Sequence, residues 1–194
     1  MTKRELPAAT AAIALGANAT SAAGVPERTL AAALEAMAAA DLRPFAVSRF
    51  WRSPAWPAGS GPDFVNAVAL VRLPAAPGAV LDRLHGIEAA FGRVRRERWG
   101  PRTLDLDLLL AGDAVLPDEA TVRRWITLPD GAQRREAPEA LILPHPRLQD
   151  RGFVLAPLSE VLPGWRHPLS GLTVAGMLAR LPAAATAGLR PFVP

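Results

Sequence analysis

The chain has 194 residues, half of them hydrophobic, with a net charge of +4, which suits one domain with its own core. It has no cysteine and so no disulfide framework, and no apolar run approaches the roughly 20 residues that a membrane-crossing helix needs. Arginine carries nearly all the positive charge, Lys3 being the one lysine, a balance that suits a polyanionic substrate without pointing to nucleic acid.

In chain order, the charged start Met1 to Pro7 runs into alanines instead of a leucine-rich signal core, so residues 1–9 are expected to form a short loose tail and the protein to be cytoplasmic. Thr10 to Leu15 reads as a buried strand ending at Gly16. Pro26 to Ala40 reads as a helix, with Pro26 in the first turn and Leu30, Leu34 and Met37 at helical spacing. Phe45 to Trp51 is a second strand, followed by a proline- and glycine-rich loop to Pro62, and Phe64 to Leu73 is a valine-rich third strand. Pro77 to Phe91 is a second helix with Val80, Leu81, Leu84, Ile87 and Phe91 on its apolar side, and Leu104 to Leu110 is a fourth strand. The order β-α-β-β-α-β is the ferredoxin-like arrangement, an α+β fold with an antiparallel sheet.

Beyond the fourth strand, residues 117–140 read as an insertion. Val122 to Leu128 and Ala132 to Arg135 flank Pro129-Asp130-Gly131, which predicts a β-hairpin. It could cover a ligand pocket, make an oligomer contact or be a neutral surface addition, and the neutral reading is favoured. A C-terminal helix is predicted over Val174 to Leu181, with 182–194 as a second loose tail. The whole of 1–194 is read as a single domain.

The chemistry concentrates in Gly92 to Leu110. Arg93, Arg95, Arg96, Arg98 and Arg102 precede Asp105 and Asp107. Guanidinium groups present a planar fork of donors that matches phosphate oxygens. The arginine run lies between Gly92 and Gly100-Pro101, as a lid loop would. On a strand, Asp105 and Asp107 share one face, roughly 6–7 Å apart at the backbone, and can hold one hard cation or bridge two. A lone D-x-D is more often a solvated strand face; the adjacent arginines reverse that preference.

The run G-R-V-R-x-E-R-W-G-P-R-T-L-D-L-D closely resembles the signature of the 6-hydroxymethyl-7,8-dihydropterin pyrophosphokinases of folate synthesis. The resemblance extends in order through Ala12 to Asn18, Val47 to Pro54, Pro62 to Ala67, Ile87-Glu88, Leu143 to Leu148 and Arg151 to Leu158. It implies transfer of the β,γ-pyrophosphoryl group of ATP to the 6-hydroxymethyl oxygen of the dihydropterin with release of AMP. It also implies two Mg²⁺ ions bound by Asp105 and Asp107, with Arg93 and Arg95 catalytic on the mobile loop; the alignment leaves Arg95 and Arg96 interchangeable by one position.

On the same resemblance Glu88, Arg98, Arg102, His145 and Arg151 are on the ATP side. Ser53, Pro54, Trp56, Phe64, Asn66 and Phe153 are on the pterin side, where Asn66 offers both donor and acceptor to the amide-like pterin edge and Phe64 stands where the family often has tyrosine. Trp99 either packs the closed loop or belongs to the core. His145 either donates to phosphate or is a turn histidine between two prolines. Adenine is expected to meet backbone near Leu108 and Ile142. Gly16 and Asn18 shape the site and are not reagents, and His167 is structural or exposed. A monomer without nucleic-acid or membrane partners is expected. RNA-binding sheets of this shape need exposed aromatics on central strands, whereas this chain has no tyrosine. A nucleotide-sugar transferase with a D-x-D site would need a larger nucleotide-binding sheet.

Overall fold

The computed structural model describes residues 10–55, 59, 61–93, 102–133 and 136–192. In chain order the elements are β1 (Thr10–Ala17), α1 (Pro26–Ala39), β2 (Pro44–Val47), β3 (Phe50–Ser53), β4 (Phe64–Arg72), α2 (Pro77–Ala90), β5 (Asp105–Ala111), α3 (Glu119–Thr127), α4 (Asp130–Gln133), a 3₁₀ turn at Leu148–Asp150, α5 (Gly152–Val161), α6 (Val174–Ala179), α7 (Ala183–Thr186) and β6 (Arg190–Phe192). The strands form one six-stranded sheet in the order β5-β1-β4-β3-β6, with β2 also paired to β4. Every pairing is antiparallel. This is the ferredoxin-like order expected from the sequence, with the second strand divided.

The division has a local cause. The Ser48 N–H still reaches the Val68 carbonyl at 2.9 Å. The next N–H, of Arg49, turns instead to the Glu160 carboxylate at 2.8 Å, and the Arg49 guanidinium joins it at 2.7 Å. A side chain of α5 thus takes a donor that the ladder would otherwise use.

Alternation along β1, β4 and β5 sends side chains to two cores. On one face Ile13, Leu15, Val65, Ala67, Leu106 and Leu108 meet Leu30, Ala33 and Met37 of α1 and Val80, Leu84 and Ile87 of α2. On the other, Ala12, Val68, Leu70 and Leu110 meet Val154, Leu155 and Leu158 of α5 and Val174 and Met177 of α6. With both faces covered, β4 is buried from Val65 to Val71.

Two expectations are overturned. The predicted hairpin is helical: α3 is capped by Asp118, whose carboxylate accepts the Thr121 N–H at 2.9 Å, and it buries Val122 and Trp125 against Ile142. Val122 and Trp125 are spaced for one helix face, and that spacing prevailed over the Pro-Asp-Gly turn signal, which became the start of α4 instead. The C-terminal stretch is not a loose tail, because α7 and β6 occupy it and β6 pairs with β3. Of the two readings of His167, structural or exposed, the structure takes the first: it is 2% exposed, with its Nδ1 accepting the Leu169 N–H.

Candidate active site

Helices α5 and α6 cover only part of their face of the sheet. Farther along the same face, one rung of residues crosses four strands: Trp51 of β3 is in register with Asn66 of β4, Asn66 with Gly16 of β1, and Gly16 with Asp105 of β5. Asp107 is one rung back, opposite Ala14. Leu104, Leu106 and Leu108 turn into the core, as alternation predicts, and leave both carboxylates half-buried on the site side.

The arginines meet the carboxylates. Arg93 approaches Asp105 at 2.6 Å and also pairs with Glu88, and Arg102 pairs with the second oxygen of Asp105. Glu88 is 2% exposed, and its carboxylate accepts the Leu106 N–H at 2.8 Å, pinning the backbone between the two aspartates. The residue therefore faces β5 and Arg93, a supporting position that the sequence signal, a nucleotide-side match, did not specify. Arg151, the cap residue of α5, lies 3.8 Å from Asp107 and 5.7 Å from the centre of the Phe153 ring.

Burial would raise the Asp107 pKa, but the charge of His145 when protonated, followed by those of Arg151, Arg102 and Arg93, holds the carboxyl below its ordinary range. Burial has the opposite consequence for His145, lowering the imidazole to about 4 against the opposing pull of Asp107 and Asp105. The neutral ring accepts the Arg147 N–H at Nδ1, 3.1 Å. That bond assigns the remaining proton to Nε2, where it can be donated.

On the other side of Gly16, Asn66 and Ser53 are both buried, and the Asn66 amide donates to the Ser53 hydroxyl at 2.9 Å. This fixes the amide and directs its carbonyl oxygen toward Gly16, 3.5 Å from where a Cβ would stand there. Phe64 shares the Asn66 side of β4 and pairs in register with Ser53. Pro54 follows β3 and is exposed, and Phe153 at the start of α5 is 37% exposed. Asn18, which the sequence marked only as a shaping residue, links the halves: its carbonyl accepts the Arg102 N–H at 2.8 Å and its amide donates to the Pro62 carbonyl at 3.3 Å. Trp56, Arg95, Arg96, Arg98 and Trp99 lie outside the described residues.

The chain matches known proteins over most of its length. Residues 12–163 match the family described as 7,8-dihydro-6-hydroxymethylpterin-pyrophosphokinase. The 2-amino-4-hydroxy-6-hydroxymethyldihydropteridine pyrophosphokinase of Pseudomonas aeruginosa is 37% identical over 171 residues, 88% of this chain and 90% of that one. A Synechocystis protein of the same name is 39% identical over 120 residues, 62% of this chain; the match spans about half of that relative, 51%. Among solved structures, wild-type HPPK-DHPS of Plasmodium falciparum with pteroate superposes with a TM-score of 0.60 over 89% of this chain and 44% of that one. The identity there is 13%, so that likeness concerns the fold.

Proposed function

This chain belongs to the 7,8-dihydro-6-hydroxymethylpterin pyrophosphokinase family and is a pyrophosphokinase of folate synthesis, acting on hydroxymethyldihydropterin; from that premise we propose how its residues divide the work. ATP donates its β,γ-pyrophosphoryl group to the 6-hydroxymethyl oxygen of 6-hydroxymethyl-7,8-dihydropterin, and AMP leaves. The observation that carries this reading is the shared rung: Asn66 and Asp105 flank Gly16 on one face of the sheet, so an acceptor read by Asn66 reaches toward phosphate held beside Asp105.

Asn66 reads the amide-like edge of the pterin, with Ser53 keeping its amide in place. Phe153 and Phe64 supply flat walls, and Pro54 and Trp56 complete the pocket. Arg93, Arg102 and Arg151 give the triphosphate a cationic surround, which Arg95 and Arg98 extend on the arginine-rich loop. The Nε2–H of His145 donates to a phosphate oxygen. Glu88 acts on the ATP side by holding Arg93 and the Leu106 backbone, and Asn18 keeps the two halves at a fixed spacing. Little covalent work falls to the protein in such a transfer, and positioning with charge stabilisation carries the rate.

The donor set at Asp105 and Asp107 fits Mg²⁺. Both groups are hard oxygen donors, Asp107 is held ionised, and two carboxylates are what Mg²⁺ commonly takes from protein when phosphate oxygens and water fill the other positions. Two such ions bound with the triphosphate would neutralise developing charge and make the acceptor hydroxyl more acidic. The protein is read as a monomer of one domain, with 117–140 a surface addition. No helix among the described residues is long and apolar enough to cross a membrane.

The test is an assay with ATP, Mg²⁺ and 6-hydroxymethyl-7,8-dihydropterin that separates AMP from ADP. Pterin-dependent AMP is the expected product. ADP would show transfer of a single phosphoryl group and overturn the reading.

A further inference from the structure

The last stretch of the chain lies beyond the family match, which ends at residue 163, yet it touches three of the segments assigned to the pterin pocket. Strand β6 extends the edge of β3, pairing Phe192 with Phe50, Pro191 with Trp51 and Arg190 with Arg52. The other edge of β3 carries the register to Phe64 and Asn66. Across the β3–β6 pair the Arg52 guanidinium stacks on the Phe192 ring at 4.3 Å, while Glu27 holds its far side at 2.8 Å.

The tightest contacts fall beside the pocket walls. Gly188 has φ +72°, a conformation that favours glycine, and a Cβ there would stand 2.7 Å from Cγ of Pro54. A Cβ on Gly152, the residue before Phe153, would stand 2.1 Å from the Ala185 carbonyl oxygen and 3.1 Å from the Leu189 side chain. Arg190 lies 3.7 Å from Asp63, the residue before Phe64. The segment thus bears on the chain beside Pro54, Phe64 and Phe153 at once, at separations with no room for another methyl at two of the three points.

We propose that residues 183–192 form a clasp that sets the spacing between the walls of the pterin pocket, with Gly188 and Phe192 as positioning residues for the acceptor. The proposal rests on the assignment of Pro54, Phe64, Asn66 and Phe153 to that pocket. The clasp bears on the acceptor side first, because its contacts fall on β3, the Asp63 loop and the start of α5, while Asp105, Arg93 and Arg102 sit beyond β1; of the ATP-side residues only Arg151, next to Gly152, adjoins a contacted position, and its guanidinium faces Asp107. A segment that merely stabilised the fold would have no reason to discriminate between the two substrates.

The experiment measures, on the full chain, the dissociation constants for the dihydropterin and for ATP–Mg²⁺ separately, with melting temperatures alongside. Gly188→Ala should weaken pterin binding about tenfold, a loss equivalent to a shift of a few tenths of an ångström in a wall, and leave ATP binding within about twofold. Phe192→Ala, which keeps the backbone and removes the Arg52 stack, should give the same split to a smaller extent and decides the matter if Gly188→Ala does not fold. Parallel losses for both substrates, or no loss for either, would overturn the clasp. Asn66→Ala measured in the same series separates the two readings. If it weakens pterin binding while both tail variants are neutral, the clasp fails alone; if it too is neutral, the pocket assignment fails.

Discussion

Asn66 and Asp105 face one another across a single glycine. Each is a register partner of Gly16, on β4 and β5 respectively, and a methyl on Gly16 would lie 3.5 Å from the Asn66 carbonyl oxygen and 4.0 Å from the Asp105 Cβ. These are ordinary contact distances, so the position tolerates a side chain in the free protein. What it would lose is the open strip between the group proposed to read the acceptor and the group proposed to lie beside the phosphates.

Gly16→Ala therefore separates folding from function. Its unfolding free energy should stay within about 1 kcal/mol of the wild type, and kcat/KM should fall at least about tenfold, because small displacements of reacting groups are costly. Urea unfolding and the AMP assay check the pair of outcomes. A fully active Gly16→Ala would show that the substrates do not meet over this strip.

Asp107→Asn keeps the shape of the side chain and removes its charge. If Asp105 and Asp107 hold the cations as proposed, this change should cost about 4 kcal/mol of transition-state stabilisation, or about a thousandfold in kcat. Turnover near the wild-type value at saturating Mg²⁺ would remove Asp107 from the assigned role.

Asn66→Ala should raise the pterin dissociation constant by about 10- to 100-fold, the range expected when a buried polar reader is removed. ATP binding should be little changed. Calorimetric titration of each substrate measures both numbers, and equal effects would argue against a pterin-reading amide.

Glu88 is a stability prediction as much as a functional one. The carboxylate is buried and serves both the Leu106 N–H and Arg93. Glu88→Ala leaves a buried donor and a cation without this partner and should destabilise by about 3 kcal/mol. Glu88→Gln can still accept the Leu106 N–H and should lose less. Chemical denaturation orders the two variants, and the reverse order would contradict the pinning role.

His145 gives a pH dependence with a defined sign. Its folded pKa of about 4 lies below the ordinary value of 6.5. The unfolded chain therefore takes up the proton first, and this contribution to stability is complete above about pH 6.5 and is lost as pH falls toward 4. His145→Gln removes that titration, so its stability should fall less steeply between pH 6.5 and 4. Because the ring is neutral throughout the physiological range, kcat should show no break near 6.5 that disappears in His145→Gln. Urea midpoints at several pH values, with a pH–rate profile for both proteins, test the assignment.

The sequence was legible where the information is local or periodic. Alternation placed Leu104, Leu106 and Leu108 in the core and both aspartates on the site side, and helical spacing found α1 and α2 to within a residue at each end. The charge cluster in Gly92 to Asp107 was visible because opposite charges crowd into one short run, and of it the structure describes Arg93, Arg102, Asp105 and Asp107. The break at Ser48-Arg49 was not, since it depends on Glu160, more than a hundred residues away. Strand β6 was missed for the same reason: Arg190, Pro191 and Phe192 have little strand character of their own and become a strand by pairing with β3. For α3 the signal existed in the Asp118 cap and the spacing of Val122 and Trp125, and a strong turn motif outweighed it. The linking role of Asn18 arises from partners on two distant loops, which no spacing rule reveals.

The pairing of Arg93 and Arg102 with Asp105 has a consequence for how the site fills. In the free protein the carboxylate and the guanidiniums serve as one another's counter-ions. Freeing Asp105 for a divalent cation takes a counter-ion from both arginines, which an arriving polyphosphate replaces, and turning the arginines toward a polyphosphate takes counter-ions from the carboxylate, which a cation replaces. Each ligand thus removes the penalty that the other would meet alone, and the coupling is reciprocal by thermodynamic necessity. Metal titrated without nucleotide should bind weakly, nucleotide without metal likewise, and the two together far more tightly than either isotherm would suggest. The protein would then discriminate, before any chemistry, between a metal–nucleotide complex and its separate parts.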